Sequence, residues 1–108
     1  MKIITRFAPS PTGNVHIGNI RVAIYNWLFA KHNNGNFLLR IEDTDKDRST
    51  DDAINNLLTT LKWLNLNYDD EPLFQSKHES KHLEIAEYLL SKGCAYKENK
   101  DNKGECVI

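Results

Sequence analysis

A histidine and a glycine stand where a helix is predicted to begin, directly after a turn rich in proline. Residues 8–13 read A-P-S-P-T-G, and His16 and Gly18 follow within five positions. The first turn of a helix carries unpaired N–H groups and the positive end of the helix dipole, which together attract anions. Proline stiffens the turn, and glycine lets a ligand approach the backbone. We therefore predict a phosphate site in which His16 donates a hydrogen bond to a phosphoryl oxygen during displacement at phosphorus.

Other ion-binding loops fit the sequence poorly. It contains neither G-x-x-x-x-G-K nor G-x-G-x-x-G, so we do not expect a P-loop NTPase or a dinucleotide dehydrogenase. Asp43, Asp45 and Asp47 begin like a calcium loop, but Arg48 replaces the glycine of the sharp turn and Ile54 the bidentate glutamate. We predict solvated charges there and no bound metal.

The elements that position the phosphate site follow from the hydrophobic pattern. Residues 3–7 and 36–41 predict two strands, and apolar residues at three- and four-residue steps over 17–33 predict a helix between them. This order predicts a βαβ unit with parallel strands and a right-handed crossover. Ligands of such sheets bind at the carboxyl ends of the strands, so the loops 8–15 and 42–48 are expected to face one crevice.

Two further amphipathic helices are predicted, each opened by a capping box. The second starts at Ser49 with Asp52 and ends near residues 63–64, and the third starts at Ser76 with Glu79. The first helix is predicted to stop at Asn33-Asn34-Gly35 and the third at Gly93. We also predict an extended piece at 73–75 and a strand at 95–97. Residues 99–104 are predicted to form a polar turn or a disordered piece. The positions predicted to face the core are Ile20, Ala23, Ile24, Trp27 and Leu28, then Ile54, Leu57, Leu58, Leu61 and Trp63, then Leu83, Ala86, Leu89 and Leu90.

Composition is that of an ordinary soluble domain. The 108 residues are 40% hydrophobic and 27% charged, enough for one core, whereas a larger α/β enzyme would be present only in part. No apolar run of membrane length and no signal-peptide order are present, so we expect a cytoplasmic protein with no membrane contact. The net charge of −1 does not favour a dedicated nucleic-acid-binding module. Cys94 and Cys106 are predicted to be free thiols, and His32, His78 and His82 to lie on the surface.

Two separated motifs closely resemble the catalytic domain of bacterial glutamyl-tRNA synthetases, which are class I aminoacyl-tRNA synthetases. They read R-F-A-P-S-P-T-G-N-V-H-I-G-N over 6–19 and F-L-L-R-I-E-D-T-D-K-D-R-S over 37–49. His16-Ile17-Gly18-Asn19 resembles the class I signature conventionally called HIGH. The similarity extends over roughly the first 97 residues, through L-K-W-L-N-L-N-Y-D, F-Q-S-K and G-x-A-Y.

This resemblance implies a fold and an activity. The fold is α/β, a partial doubly wound parallel sheet of Rossmann type with helices packed on it. Residues 1–97 are expected to be the N-terminal part of the catalytic domain, and 98–108 a polar tail or the start of a truncated connective segment. Family members activate L-glutamate with ATP and Mg²⁺, release pyrophosphate, and pass the glutamyl group to the terminal ribose of tRNA.

The resemblance also assigns roles within the site. Arg6 matches the arginine that binds the substrate side-chain carboxylate, for which its planar fork is better suited than lysine. Ala8 and Ser10 match positions lining the amino-acid pocket, and Glu42 the residue that pairs with the α-amino group. For Arg40 and Arg48 two roles stay open: contact with tRNA or pairing with nearby acids. The catalytic residues are His16, Gly18 and Asn19, and the ATP side of the site comprises Pro9, Thr12, Gly13, His16, Gly18 and Asn19.

The sequence departs from the family pattern in two places. Lys97-Glu98-Asn99-Lys100 stands where many relatives carry the first cysteines of a zinc site, so we expect no zinc. The lysine-rich KMSKS-type loop and the parts that bind tRNA are not in these 108 residues. We therefore expect the chain to be inactive alone and to self-associate through exposed apolar faces.

Two alternatives stay open at this point. One is a related enzyme that glutamylates a tRNA base, a glutamyl-Q tRNA(Asp) synthetase-like protein, although R-I-E-D-T-D favours the ordinary synthetase. The other is a truncated, non-catalytic module that binds ATP or glutamate.

Overall fold

The structure, a computed structural model, describes residues 2–100 and 104–108 and divides into two compact units, Met1–Ser76 and Lys77–Ile108. No helix in these ranges is both long and apolar enough to cross a membrane. The first unit contains β1 (Ile4–Phe7), α1 (Ile17–His32), β2 (Asn36–Ile41), α2 (Asp51–Trp63) and β3 (Leu73–Phe74). A 3₁₀ turn (Gln75–His78) leads to α3 (Glu79–Ser91), β4 (Lys97–Lys100) and β5 (Gly104–Val107).

The sheet of the first unit is parallel, with β2 in the centre of the order β1-β2-β3. Ile4 lies opposite Asn36, and Arg40 lies opposite Leu73. The predicted α/β class and the parallel βαβ unit are confirmed. The extended piece predicted at 73–75 forms the third strand.

Both helices of the first unit contribute to one buried core. Thr5 Oγ1 donates a hydrogen bond to the Asn26 carbonyl of α1 at 2.9 Å, which directs the odd-numbered side chains of β1 towards that helix. Because Ala23 and Ala30 are small and fully buried, α1 can lie close to the strands. The other members of the buried cluster are Phe7, Phe37, Leu39, Ile41, Leu57, Leu61 and Leu66.

The turn from α1 to β2 has the predicted glycine and asparagine geometry. Asn34 adopts a φ of 50°, and the Gly35 N–H donates to the Ala30 carbonyl at 2.7 Å. The next residue, Asn36, donates to the Ile3 carbonyl at 2.9 Å and starts the pairing of β2 with β1. The predicted helix stop is confirmed.

Two core positions predicted for the helices of the first unit are wrong. Trp63 is 79% exposed and Leu28 is 51% exposed, whereas Trp27 packs against the core as predicted. At 100° per residue, Trp63 lies about 200° around the helix from buried Leu61. Leu28 lies about 140° from Ala23 by the same rule, so both side chains point away from the sheet.

The capping box predicted for α2 is off by one residue. Thr50 is the N-cap, and its hydroxyl accepts from the Ala53 N–H at 3.2 Å. Ser49 remains in the preceding turn because its N–H donates to the Asp45 carbonyl at 2.8 Å. Helix α2 ends at Trp63, as predicted.

The capping box predicted for α3 is also wrong. Both polar groups of Ser76 bind the Asp43 carboxylate instead. The chain forms the 3₁₀ turn, and α3 begins at Glu79 with His78 as an N-cap that makes no side-chain capping bond.

The second unit differs from its prediction at both ends. Helix α3 has no buried residue, and Leu83 and Leu89, both predicted to be core, are 61% and 38% exposed. Gly93, with a φ of 70°, follows the helix end as predicted. Strands β4 and β5 form an antiparallel pair where a polar turn or disordered piece was predicted, because mutual hydrogen bonds of Tyr96 and Ile108 at 2.8–2.9 Å close the ladder. Residues 101–103 of that predicted turn lie outside the described residues.

The histidines and Cys94 lie at the surface. His32, His78 and His82 are exposed, as predicted, and Cys94 is an exposed free thiol. The thiol of Cys106 lies outside the described side chains. The division at residue 97 into a catalytic part and a tail stays a prediction.

Asp69 joins the segment after α2 to α1 and β2. Its carboxylate accepts from Lys31 Nζ at 2.8 Å and from the Phe37 N–H at 2.7 Å. The Lys31 hydrogen bond, followed by the Phe37 N–H, lowers the pKa of Asp69 below its ordinary value. The unfolded chain therefore binds this proton more readily, so the stability from Asp69 is complete above the unfolded pKa and is lost as the pH falls through the folded one.

We expect Asp69→Asn to lower the free energy of unfolding at pH 7 by about 1 kcal/mol, because the amide still accepts from Phe37 but loses the charge facing Lys31. The loss should shrink as the pH falls below about 4, the ordinary pKa of an aspartate, and should vanish below the lowered pKa of folded Asp69. Urea denaturation from pH 7 to pH 2 measures this, with exposed Asp70→Asn as the matched control. An equal loss at every pH contradicts the charge-based explanation.

Candidate functional site at the carboxyl edge of the sheet

The two predicted loops meet at the carboxyl ends of neighbouring strands. Loop 8–15 leaves β1 and loop 42–48 leaves β2, which run parallel and side by side. The Glu42 N–H donates to the Pro9 carbonyl at 2.9 Å, which joins the loops directly. The two loops are adjacent, as predicted, and that they face one ligand crevice stays a prediction.

Loop 8–15 is anchored by its apolar residues and presents its polar ones. Pro9 and Pro11 are buried and Val15 packs against the core, whereas Ser10 and Thr12 are exposed. Gly13 has a φ of 127°, a conformation that side chains disfavour. The prolines and the core contact therefore hold a stiff loop whose polar edge faces solvent.

A cavity of about 150 Å³ lies behind this loop, against α2. Ala53 and Leu57 of α2 form its back, and Asn56 Nδ2 donates to Asn14 Oδ1 at 3.5 Å beside it. Ligand pockets usually enclose about 300–1,000 Å³, so this cavity is too small for a nucleotide. Its remaining lining residues are 9–16 and Asn19.

His16 has a defined orientation at the start of α1. It is the N-cap residue, and its Nδ1 accepts from the Gly18 N–H at 3.0 Å. A nitrogen that accepts carries no proton, so the neutral ring is protonated at Nε2. The exposed imidazole thus offers an N–H donor from its far side.

Gly18 has a steric reason within the chain that was not predicted. A Cβ built there would lie 3.0 Å from His16 Nδ1, so the absent side chain makes room for the histidine ring. That it also lets a ligand approach the backbone stays a prediction. The N–H groups of Asn19 and Ile20 both donate to the His16 carbonyl, at 2.9 and 3.2 Å. Fewer helix-start donors are open to an anion than the sequence predicted.

Arg6 and Glu42 lie on the sheet face opposite the buried core. Arg6 is exposed and lies opposite Leu38, and even-numbered strand residues point away from the odd-numbered core residues. Glu42 is four residues beyond Leu38, about 13 Å along the strand at 3.3 Å per residue. A small molecule with a charge at each end can bridge two long side chains over that separation.

Arginines of loop 42–48 and its strand pair with acids. Arg40 Nη2 donates to Glu42 Oε1, and both side chains are 31% exposed. Arg48 Nε donates to Asp45 Oδ2 at 2.6 Å, and this hydrogen bond lowers the pKa of Asp45. Of the two possibilities left open for Arg40 and Arg48, the structure shows pairing with acids.

Sequence reasoning missed Asp43 and Ser76. Asp43 was predicted to be a solvated loop charge, yet Oδ1 accepts from the Ser76 N–H at 2.8 Å and Oδ2 from Ser76 Oγ at 2.6 Å. The only signal was that Asp43 and Ser76 each stand two residues after the end of a strand. No cluster of three or more metal-ligating side chains occurs in the described part of the chain. The absence of a resident metal stays a prediction.

Comparisons with known proteins agree with this arrangement. Residues 2–104 match the family model described as "tRNA synthetases class I (E and Q), catalytic domain". The chain is 61% identical over 95 residues to glutamate–tRNA ligase 1 of Erythrobacter litoralis, covering 88% of this chain and 20% of that protein. It is 62% identical over 94 residues to glutamate–tRNA ligase 2 of Rickettsia bellii, covering 87% and 20%.

A solved structure has the same fold. A glutamate tRNA ligase from Elizabethkingia meningosepticum, crystallised in complex with its amino acid, superposes with a TM-score of 0.83 at 37% identity. The match covers 93% of this chain and 22% of that one. The chain thus spans about a fifth of the length of the relatives it matches.

Proposed function

Because the chain belongs to the class I tRNA synthetases (E and Q), catalytic domain family, we propose that it forms one wall of a site where ATP activates L-glutamate. A glutamate α-carboxylate oxygen attacks the α-phosphorus of ATP, and the bond to pyrophosphate breaks. A hydroxyl of the terminal ribose of tRNA then attacks the glutamyl carbonyl carbon, the bond to the adenylate breaks, and AMP leaves. The observation that carries this proposal is the hydrogen bond from the Glu42 N–H to the Pro9 carbonyl. It joins loop 42–48, which holds the proposed ammonium-binding Glu42, to loop 8–15, which leads to His16.

On the amino-acid side, Arg6 binds the side-chain carboxylate of the substrate through its planar guanidinium. Glu42 pairs with the α-ammonium group, and Ala8 and Ser10 line the space between. Support comes from the face that Arg6 and Glu42 share and from their separation of about 13 Å along the sheet. Arg40 keeps the Glu42 carboxylate on that face.

On the nucleotide side, His16 donates its Nε2–H to a phosphoryl oxygen where negative charge builds up in the transition state. The stiff loop places Pro9, Thr12 and Gly13 beside the nucleotide, with Gly18 and Asn19 at the helix start. Mg²⁺ arrives with ATP as part of the substrate complex, and we propose no zinc. The relatives' names favour this reading over the tRNA-base-modifying enzyme. Since charging of tRNA serves translation, we propose a cytoplasmic location.

We expect Mg²⁺–ATP to bind His16→Asn about tenfold more weakly than wild type, as for loss of one hydrogen bond to a charged group. Asparagine is itself a strong N-cap residue, so the helix start is kept while the donor no longer reaches the phosphate. His32→Asn, at the exposed far end of α1, is the matched control and should bind like wild type. Equal affinities of the two variants, measured by calorimetric titration, would exclude a phosphate-binding role for His16.

Turnover needs groups on both sides of the reacting phosphate. We therefore expect the 108-residue chain to show no glutamate-dependent ATP–pyrophosphate exchange, even with tRNA present. Robust exchange by the chain alone would show that this wall is a complete site.

A further inference from the structure

Two consecutive residues connect the carboxyl ends of all three strands of the parallel sheet. Glu42 donates its N–H to Pro9, which follows β1, at 2.9 Å. Asp43 accepts two hydrogen bonds from Ser76, which follows β3, at 2.8 and 2.6 Å. The backbone at 42–43 is therefore fixed from both sides, at the position that sets the direction of the Glu42 side chain.

The Asp43–Ser76 contact is stronger than an ordinary loop contact. Both carboxylate oxygens are used, both bonds are partly buried, and a charged acceptor makes shorter and stronger hydrogen bonds than a neutral one. Strand β3 pairs with β2 through two residues only, Leu73 and Phe74. Without Asp43, this short ladder would be the main connection between loop 42–48 and the segment after β3.

The Glu42 side chain itself is held separately. Arg40 binds its carboxylate from within β2, and this bond does not fix the backbone beyond the strand end. A displacement at Asp43 moves Glu42 through the intervening peptide bond, since the peptide unit is planar and rigid. A carboxylate that pairs with an ammonium group loses much of that interaction when displaced by about 1 Å.

We propose that Asp43 is a positioning residue: held by Ser76, it fixes the backbone at Glu42 so that the Glu42 carboxylate stays where the substrate ammonium group binds. The ammonium-binding step rests on the proposed function. The backbone step does not, because it concerns only hydrogen bonds within this chain.

The test uses Ser76→Ala, which removes one of the two hydrogen bonds, and Asp43→Ala, which removes both. Ser76→Thr keeps the hydroxyl and should restore wild-type behaviour, and Asp47→Asn changes an exposed acid of the same loop. Amide hydrogen exchange of the whole 108-residue chain, followed by NMR, reports the Glu42–Pro9 bond. The Phe37 N–H at the opposite end of β2 serves as the internal reference.

We expect Glu42 exchange to rise about tenfold in Ser76→Ala and further in Asp43→Ala, with Phe37 exchange unchanged. L-Glutamate affinity should fall about tenfold in Ser76→Ala while Mg²⁺–ATP affinity is unchanged. Unchanged Glu42 exchange in a folded Ser76→Ala chain, or an equal rise at Phe37, overturns the proposal. Faster amide exchange at Glu42 together with a wild-type affinity for glutamate also overturns the proposal. If wild type binds no glutamate, the proposed function fails, and the exchange rates still decide the backbone step.

Discussion

Phe37→Ala is expected to lower the free energy of unfolding of the first unit by about 4 kcal/mol, the largest effect of any substitution considered for this chain. Phe37 is fully buried in the central strand, where it contacts the cluster that α1 and α2 share. Truncation leaves a cavity whose walls are strands and helices that cannot collapse into it. A domain of this size has only about 5–15 kcal/mol of stability in total, so this one substitution removes at least about a quarter of it.

Trp63→Ala is the matched aromatic control for Phe37→Ala. Its side chain is 79% exposed at the last residue of α2, so the free energy of unfolding should change by less than about 0.5 kcal/mol. Urea denaturation followed by circular dichroism compares the two, because Trp63→Ala removes a fluorophore. Similar losses for both variants would mean that Trp63 is buried after all.

Gly35→Ala is expected to cost about 3 kcal/mol, because the new methyl group meets backbone that cannot rotate away. A Cβ at Gly35 would lie 2.3 Å from the Ile3 carbonyl oxygen and 2.9 Å from Ile3 Cβ. That carbonyl also accepts the Asn36 N–H bond that starts the pairing of β1 with β2. Relieving the clash therefore separates the two strands at their first contact.

Gly13→Ala separates this steric effect from the conformational cost of losing a glycine. Gly13 has a φ of 127° but no atom within 4 Å of a built Cβ, so its loss should cost only about 1 kcal/mol. Melting temperatures of the two variants, measured side by side, give the comparison. A Gly35→Ala chain as stable as Gly13→Ala would show that the Ile3–Gly35 approach relaxes without cost.

Much of the first unit could be predicted because its signals are local. The βαβ order followed from hydrophobic period, and the turn at Asn34-Gly35 from residues that tolerate unusual backbone angles. Trp63 was wrongly predicted to be buried because the apolar pattern of α2 was extended to its last residue. That position lies on the side of the helix that faces away from the core. A strand was predicted at 95–97, but its pairing with β5 was missed because pairing between polar strands leaves no periodic signal.

In the site, too, features with a local sequence signal could be predicted and contacts between distant residues could not. Residue types and order placed both loops at one edge of the sheet, and the roles of Arg6, Glu42 and His16 rest on resemblance to the family. The bond between Asp43 and Ser76 links residues 33 positions apart, and no spacing rule predicts it. The contact between position 18 and the His16 ring was also not predicted, because it depends on the orientation of the histidine side chain.

Ala23 is fully buried on α1, seven residues after His16, so a tilt of the helix about this contact moves His16. At 1.5 Å per residue the arm between them is about 10 Å, so a tilt of only 5° at Ala23 would move His16 by about 0.9 Å. A larger side chain at Ala23 would push α1 away from the strands and carry the Nε2 donor with it. The position of the His16 imidazole is thus set partly by the small size of Ala23, which is fully buried.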